Sequence, residues 1–460
     1  MCRKRFVKDF QIITKNCVRI FPKHYDIVNR FLHFYHQGLQ EYLTEICDSR
    51  RQLEPMEIYA IFAFIRDYYG KECLTNPELN LDISQLPQLL GKDTLDAIID
   101  VFVNERKEKM TEWIRKIVSL EVKDWNSKKE IESTPEHHYM TTLPRMLMNM
   151  ITETLDMAKQ MSDDACPSIL AMIPAKLNEF RDLYVQEINA YARRYFDNRD
   201  EFRENFTKQM IANANNCESI PNFLLLIREK YDRSPIDRYE SIRKNFERTA
   251  EHCCEIIIQE MEMDTIEFLK SLFTRDWFDS KVNPYCRRIL EITQSYWSTN
   301  LTHLKKPLLA YLFHTWHKRI LAYYLRHIFS RTVTIKFKTP LHRRTCAEQL
   351  RGEAAMLEKE FILWDGTSAE NATRYDFNML NNIAGILEQT DVDYIAFDIG
   401  TLAKRYPSLT IDQIQLLLLL RGDFTKQQAK ERADTVLANM PRANHGILVE
   451  IMDIVNQLNH

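Results

Sequence analysis

The side chains best equipped for chemistry lie in four local groups. His33 and His36 stand three apart, as do His314 and His317, a spacing that can put each pair on one helix face. His137 and His138 are adjacent, and His252 directly precedes Cys253 and Cys254. Imidazole and thiolate are usual zinc ligands, but zinc asks for three or four converging groups at suitable spacing. No group here meets that demand, and the first pair sits in the aromatic run Phe31-Leu-His-Phe-Tyr-His36. We read these residues as surface or partly buried helix positions among aromatics, and assign no metal site.

Phosphate chemistry fares no better. Gly70-Lys71 is followed by Glu72 and Gly91-Lys92 by Asp93, without the upstream glycine or the Ser/Thr that a phosphate-cradling loop needs. GxGxxG, GxSxG and HExxH are all missing. No catalytic residue and no cofactor site is assigned, and the chain reads as non-enzymatic. Arg421-Gly422-Asp423 has the form of the integrin tripeptide, but Gly422 falls where a helix is expected to stop.

Charge distribution is more informative. From Ile292 to Ala347 there is no Asp or Glu, while ten Lys or Arg fall in the same window. Lys318, Arg319, Arg331, Lys336, Lys338, Arg343 and Arg344 are the candidate contacts for anionic membrane lipid or an acidic partner helix. The competing reading pairs these cations with acidic residues of neighbouring helices, such as Glu251, Glu255, Glu260 and Glu262. Tyr311, Phe313, Trp316, Tyr323, Tyr324 and Phe329 fill the same helices as apparent core, which favours the structural reading.

The whole chain has 460 residues with 62 Lys+Arg against 65 Asp+Glu, a formal net charge of −3. Bulk charge therefore indicates no nucleic acid partner. Nine glycines amount to about 2% where roughly 7% is usual. Tight turns lean on residues that tolerate positive φ, so such a chain is expected to be built from long helices with short connections. Ten scattered cysteines without a CxxC pair, and no signal-peptide pattern after Arg3, Lys4 and Arg5, suggest free thiols in a reducing cytosol. The sequons at Asn205, Asn300 and Asn371 are then expected to stay unmodified. No 18-residue apolar run exists, so any membrane contact is expected to be peripheral.

Helical periodicity recurs along the chain. Pro22 suits a first helical turn, followed by the stripe Val28, Phe31, Tyr35, Leu39, Tyr42 and Ile46. Thr142 and Pro144 suit another helix start, with Leu147, Met150, Ile151, Leu155 and Ala158 as its stripe. Thr410 and Gln413 have capping-box spacing ahead of the apolar run to Leu420 and Gly422. Polar, Pro-bearing interruptions at Asn126–Glu136, Asp232–Asp237 and Lys338–Leu341 predict four helical bundles: 1–135, 136–233, 234–340 with the basic segment, and 341–460. Arg331–Phe337 alternates like a strand but has no visible partner, so a helix end plus extended linker is expected.

Several stretches carry a family likeness in one order. They are Arg19-Ile-Phe-Pro-Lys-His-Tyr-Asp26, Lys123-Asp-Trp125, Tyr139-Met-Thr-Thr-Leu-Pro144 and Met210-Ile-Ala-Asn-Ala-Asn-Asn-Cys217. Leu304-Lys-Lys-Pro307, Tyr324-Leu-Arg-His-Ile-Phe-Ser-Arg331, Ala347-Glu-Gln-Leu350 and Leu402-Ala-Lys-Arg-Tyr-Pro407 continue it, up to Leu419-Leu-Arg-Gly-Asp423. From about residue 10 to 450 the chain resembles the third exocyst component, the Sec-six subunit family.

The resemblance implies an all-α, elongated rod of successive helical bundles, of the tethering-complex type. It implies a scaffolding subunit of the exocyst, which holds secretory vesicles at the plasma membrane before SNARE-mediated fusion. The implied partners are other exocyst subunits, plasma-membrane SNAREs and Sec/Munc-type regulators, with a cytoplasmic protein recruited peripherally to sites of exocytosis. Such proteins normally begin with a long coiled coil that is not matched here, so a truncated or shortened relative is expected. The connection at Ser234-Pro235 also looks short. The alternatives are the related M-Sec protein, which acts in membrane protrusion, and a peripheral module that binds anionic lipid.

Overall fold

The computed structural model describes residues 2–48, 53–127, 130–162, 165–202, 205–231, 237–280, 284–332, 335–366, 375–438, 440 and 443–459. Those residues are overwhelmingly helical, and the β-type pairing among them is the single bridge between Ser133 and Tyr139. No helix among them is long and apolar enough to cross a membrane.

The chain divides into two compact units. The first comprises Met1–Ser127, Thr142–Glu187 and Ser219–Phe246. It holds α1 (Cys2–Ile12), α2 (Ile27–Asp48), α3 (Pro55–Tyr69), α4 (Lys92–Trp125), α5 (Leu143–Met161) and residues 165–187 of α6 (Ala165–Asp197). The second comprises Lys128–Thr141, Ile188–Glu218 and Glu247–His460. Its helices include α7 (Arg199–Phe202), residues 206–218 of α8 (Phe206–Tyr231) and residues 247–271 of α9 (Asp237–Ser271). They continue with α10 (Arg275–Asp279), α11 (Tyr285–Thr299), α12 (Lys306–Ile328) and α13 (Pro340–Asp365). Then follow α14 (Asn378–Glu388), α15 (Val392–Arg405), α16 (Ile411–Arg421), α17 (Lys426–Leu437) and α18 (Ile447–Leu458).

Local signals placed several helices well. In α5 the whole expected stripe is buried, Leu147 through Ala158, and Pro144 sits in the first turn, although the Thr142 side chain makes no cap bond. In α16 the Thr410–Gln413 capping box is formed and Gly422 closes the helix at φ 76°, a left-handed conformation open to glycine at little cost. Residues 335–338 form no helix or strand, and Phe337 donates its N–H to the Leu420 carbonyl at 3.0 Å. Residues 333–334 of the strand-like stretch, 232–236 around Ser234-Pro235, 128–129 and the sequon at Asn371–Thr373 lie outside the described residues.

The first helix stripe is different. Pro22 precedes a short 3-10 turn, Lys23–Tyr25, and α2 starts only at Ile27. Its buried face is Leu32, His36 and Leu43, while Phe31 and Tyr42 are exposed. His36 turns inward because both ring nitrogens find partners: the Pro87 carbonyl at 2.8 Å and the Tyr68 hydroxyl at 3.2 Å. A satisfied imidazole can occupy a core position that hydropathy alone assigns to Phe or Tyr.

Unit one packs along α4, where Phe102, Met110, Ile114 and Val118 form a buried face ending at Trp125. The Trp125 ring meets Tyr184 at 5.8 Å, and its indole N–H donates to Glu121 at 3.3 Å.

Buried polar clusters recur among the described residues of unit two. Asn215 on α8 donates to the carbonyls of Tyr139 and His303, both at 2.9 Å, and accepts from the Lys305 N–H at 3.0 Å. Beside it, Asn216 accepts from the Thr141 N–H at 3.2 Å and donates to the Thr141 hydroxyl at 2.8 Å. Glu260 on α9 accepts from Tyr195 at 2.6 Å and Thr207 at 2.9 Å. Glu353 on α13 accepts from the Trp277 indole at 2.9 and 3.0 Å and from the Tyr324 hydroxyl at 2.6 Å.

Burial pushes the Glu353 carboxyl up to about 7, against the pull of the Tyr324 and Trp277 bonds. A carboxyl with a higher pKa folded than unfolded favours the native state while protonated. That contribution is full below the ordinary value of 4.5 and is lost as pH rises through about 7. Glu353→Gln cannot ionise, so thermal melts from about pH 5 to about pH 8 should show the parent losing on the order of 3 kcal/mol relative to the variant. Parallel pH profiles would show that Glu353 does not titrate in this range.

Candidate interaction surface

The seven candidate cations all lie in unit two, on or beside α12 and α13, and they do not form one positive face. Lys318 on α12 bonds Glu450 on α18 at 2.7 Å, and Arg319 meets Glu262 on α9 at 3.3 Å. Arg331 reaches Asp412 at 3.4 Å with both side chains largely in water. Arg344 pairs with Glu348 one turn along α13 at 3.0 Å. Lys336 and Lys338 are exposed and make no ion pair among the described residues.

Arg343 is the outlier, with its side chain only 7% exposed. Its guanidinium donates to the Phe337 carbonyl at 3.3 Å and the Lys338 carbonyl at 3.4 Å, and meets Asp423 at 3.3 Å. The same carboxylate holds Arg421 through Nε at 3.1 Å and Nη2 at 2.8 Å. Arg421 in turn donates to the carbonyls of Ile386, Leu387 (3.1 Å) and Gln389 (2.8 Å) at the end of α14. Those carbonyls lack intrahelical partners and carry the negative end of the helix dipole, so a cation there is doubly favourable. The Arg421-Gly422-Asp423 tripeptide is thus an internal clamp.

Of the four acidic residues expected to balance the window, Glu262 pairs with Arg319 and accepts from Tyr323 at 2.8 Å. Glu255 accepts from Tyr311 at 3.0 Å, while Glu260 serves Tyr195 and Thr207. Phe313, Trp316, Tyr323 and Tyr324 are buried, as a structural role for α12 requires.

The histidine and cysteine groups divide: His33 and His137 are exposed, while His36, His317, Cys253 and Cys254 are buried. Among the described residues no cluster of three or more His, Cys, Asp or Glu is placed to hold a metal. His252 bonds Asn189 at 2.7 Å, and burial pushes the neighbouring Cys253 thiol up to about 12. His137 gives its carbonyl to His303 at 2.5 Å. The His314 and His317 rings lie 5.0 Å apart, and His317 is fully buried against Tyr375 and Phe377. Neither His317 ring nitrogen has a partner among the described residues, and burial pushes that imidazole down to about 3.

With this geometry in hand, the family described as Exocyst complex component Sec6 matches residues 2–426. The chain belongs to the Sec6 family of exocyst components. Exocyst complex component 3 of Drosophila melanogaster is 24% identical over 445 residues, covering 95% of this chain and 58% of that protein. The Caenorhabditis elegans protein of the same name is 21% identical, covering 96% and 58%. This Sec6-family chain therefore spans less than two thirds of these relatives' length. Among solved structures, M-Sec superposes with a TM-score of 0.74 at 16% identity, covering 96% of this chain and 73% of that one. The C-terminal domain of the exocyst subunit Sec6p superposes with a TM-score of 0.66 at 15% identity, covering 78% and 97%. Both likenesses support the all-α, helical-bundle fold.

Charge position inside the Sec6-family fold decides what substitution does. Arg343→Ala leaves Asp423 with Arg421 as its remaining cation and takes a donor from two carbonyls, and should lower unfolding free energy by about 2 kcal/mol. Arg344→Ala removes an exposed pair and should stay within about 0.5 kcal/mol. Denaturant titrations of the two variants check this, and equal effects would contradict the clamp.

Proposed function

We propose that this chain is a scaffolding part of the exocyst, holding secretory vesicles at the plasma membrane before SNARE-mediated fusion. The observation that carries the reading is the Sec6-family match from residue 2 to 426, nearly the whole chain. Supporting it, the polar groups described above are engaged in tying helices together, which suits a stiff spacer rather than a reaction centre. A spacer with several weak contacts gains avidity by raising the effective concentration of each successive one.

The partners in this reading are other exocyst subunits first, then plasma-membrane SNAREs and Sec/Munc-type regulators. The setting is the cytoplasmic side of the plasma membrane, reached by peripheral recruitment. Of the basic set, Lys336 and Lys338 retain exposed ammonium groups without a carboxylate among the described residues. Contact with an acidic partner helix or anionic lipid would fall to them before the paired or buried cations.

A second reading, a role in membrane protrusion, is favoured by the fold likeness to M-Sec. Tagged chain used as bait in cytosol, with mass spectrometry of the bound proteins, separates the two. Recovery of the other exocyst subunits is the expected result. A bait that is folded but brings down none of them would favour the protrusion reading.

A further inference from the structure

The stripe Val28, Phe31, Tyr35, Leu39, Tyr42 and Ile46 has the spacing of a core face, yet no member of it is buried. Phe31 and Tyr42 are 38% and 62% exposed, and the other four are half-buried. α2 turns Leu32, His36 and Leu43 to the core of unit one, so the stripe is a second apolar face left open to water. Phe34 on α2, and Ile20, Phe21 and Tyr25 just before it, are exposed as well. Apolar surface gathered in this way marks an interaction site more often than scattered single residues do.

Beside the stripe, an apolar pocket of about 310 Å³ opens between α1, α2 and α3. Tyr35 and Leu39 of the stripe form one wall, with Phe6, Phe64 and Tyr68 around them. The rings brace one another: Phe6 meets Tyr35 at 5.8 Å and Tyr68 at 5.7 Å, and Phe64 stacks on Tyr68 at 6.2 Å. The Tyr35 hydroxyl donates to Asp9 at 2.5 Å, so its polar tip is already satisfied. A rigid apolar pocket next to an open helix face suits one large anchoring side chain of a partner, with neighbouring contacts along the face.

Charge limits what that partner can be. Between residues 5 and 40 the cations are Arg5, Lys8, Lys15, Arg19, Lys23 and Arg30, against Asp9 and Asp26. All six cations are exposed, and none makes an ion pair among the described residues. Both carboxylates are engaged, Asp9 by Tyr35 and Asp26 by Asn29 at 2.8 Å. Arg5 lines the pocket itself, and Arg30 lies over the Tyr25 ring at 5.0 Å. Exposed carboxylates enter only further along α2, at Glu41, Glu45 and Asp48. Acidic side chains near the pocket and the start of α2 would be attracted, and basic ones repelled. We propose that the open stripe of α2 and the adjoining pocket dock an amphipathic helix of a protein partner, one aliphatic or aromatic side chain filling the pocket and acidic residues lying over Arg5 and Arg30. The inference does not depend on exocyst assembly, because a bait that recovers no exocyst subunit would leave this docking untouched.

The test uses the full chain and three stapled helical peptides of about 18 residues, roughly 27 Å long. They share one leucine-rich apolar face, and their N-terminal halves carry Glu, Gln or Lys on the flanks. Fluorescence polarisation should show one-site binding, with the Glu peptide at least about tenfold tighter than the Lys peptide. Phe31→Gln/Tyr42→Gln should weaken the Glu peptide at least about tenfold, and Arg5→Gln/Arg30→Gln should narrow the gap between Glu and Lys peptides to within about threefold. Tyr394→Gln/Phe397→Gln, at exposed positions of α15, should stay within about twofold of the parent. Photo-leucine at the anchor position should crosslink to α2 or α3 of the parent, a readout that needs no variant to fold. Absence of peptide binding, equal binding of all three peptides, or crosslinks confined to other segments would overturn the proposal. So would sedimentation showing that the parent self-associates through Phe31 and Tyr42, which would assign the face to a second copy of the chain.

Discussion

The Asn215 side chain holds three pieces of backbone at one point: Tyr139, His303 and Lys305. With few glycines and few tight turns, unit two has little local means of fixing where its extended connections run. A buried amide with both donors and its acceptor engaged supplies that means. Leaving such groups unpaired costs about 1–3 kcal/mol each, so alternative paths for these segments are disfavoured more strongly than apolar packing alone would achieve. The stacked Tyr139 and His303 rings, 3.9 Å apart, and the Lys305–Glu218 pair at 2.5 Å build on the same junction. Glu260 and Glu353 repeat the principle between other helices of the unit.

The basic window follows from this economy of turns. A segment with ten cations and no carboxylate looks like a binding surface when read as a string. Folded, five of its seven candidate cations meet carboxylates on α9, α13, α16 and α18 or just beyond α16. The deepest of these, Arg343, shares Asp423 with Arg421, which closes the end of α14. All of these cations but Arg344 join segments across long sequence separations, and the residues left for partners are Lys336 and Lys338.

Legibility in the sequence tracked how local the cause was. The α5 stripe and the α16 cap depend on residues within a few positions of each other, so both could be read directly. The α2 face could not, because His36 becomes a core residue only through Tyr68 and Pro87, more than thirty positions away. In the sequence Arg421 is legible only within an integrin-like tripeptide at a helix stop, and nothing adjacent announces that it reaches Ile386, Leu387 and Gln389. The Asn-Asn pair at 215–216 was noticed as part of a family likeness, but its role needed the two segments that it joins. An asparagine pair inside an apolar helix, with few turn residues nearby, was the available signal. The family itself was recognisable from ordered short stretches, three of which, around 139, 215 and 304, meet at the Asn215 junction.

The central claim is that buried polar side chains, Asn215 foremost, fix the path of the chain in unit two. Hydrogen exchange on the Asn215→Leu variant tests it most directly, since leucine keeps the volume and removes the bonds. The amides of Tyr139, Thr141 and Lys305 should lose protection together, while those of α16 keep theirs. If protection fell only within α8, or nowhere, Asn215 would be a passenger and apolar packing alone would set the arrangement.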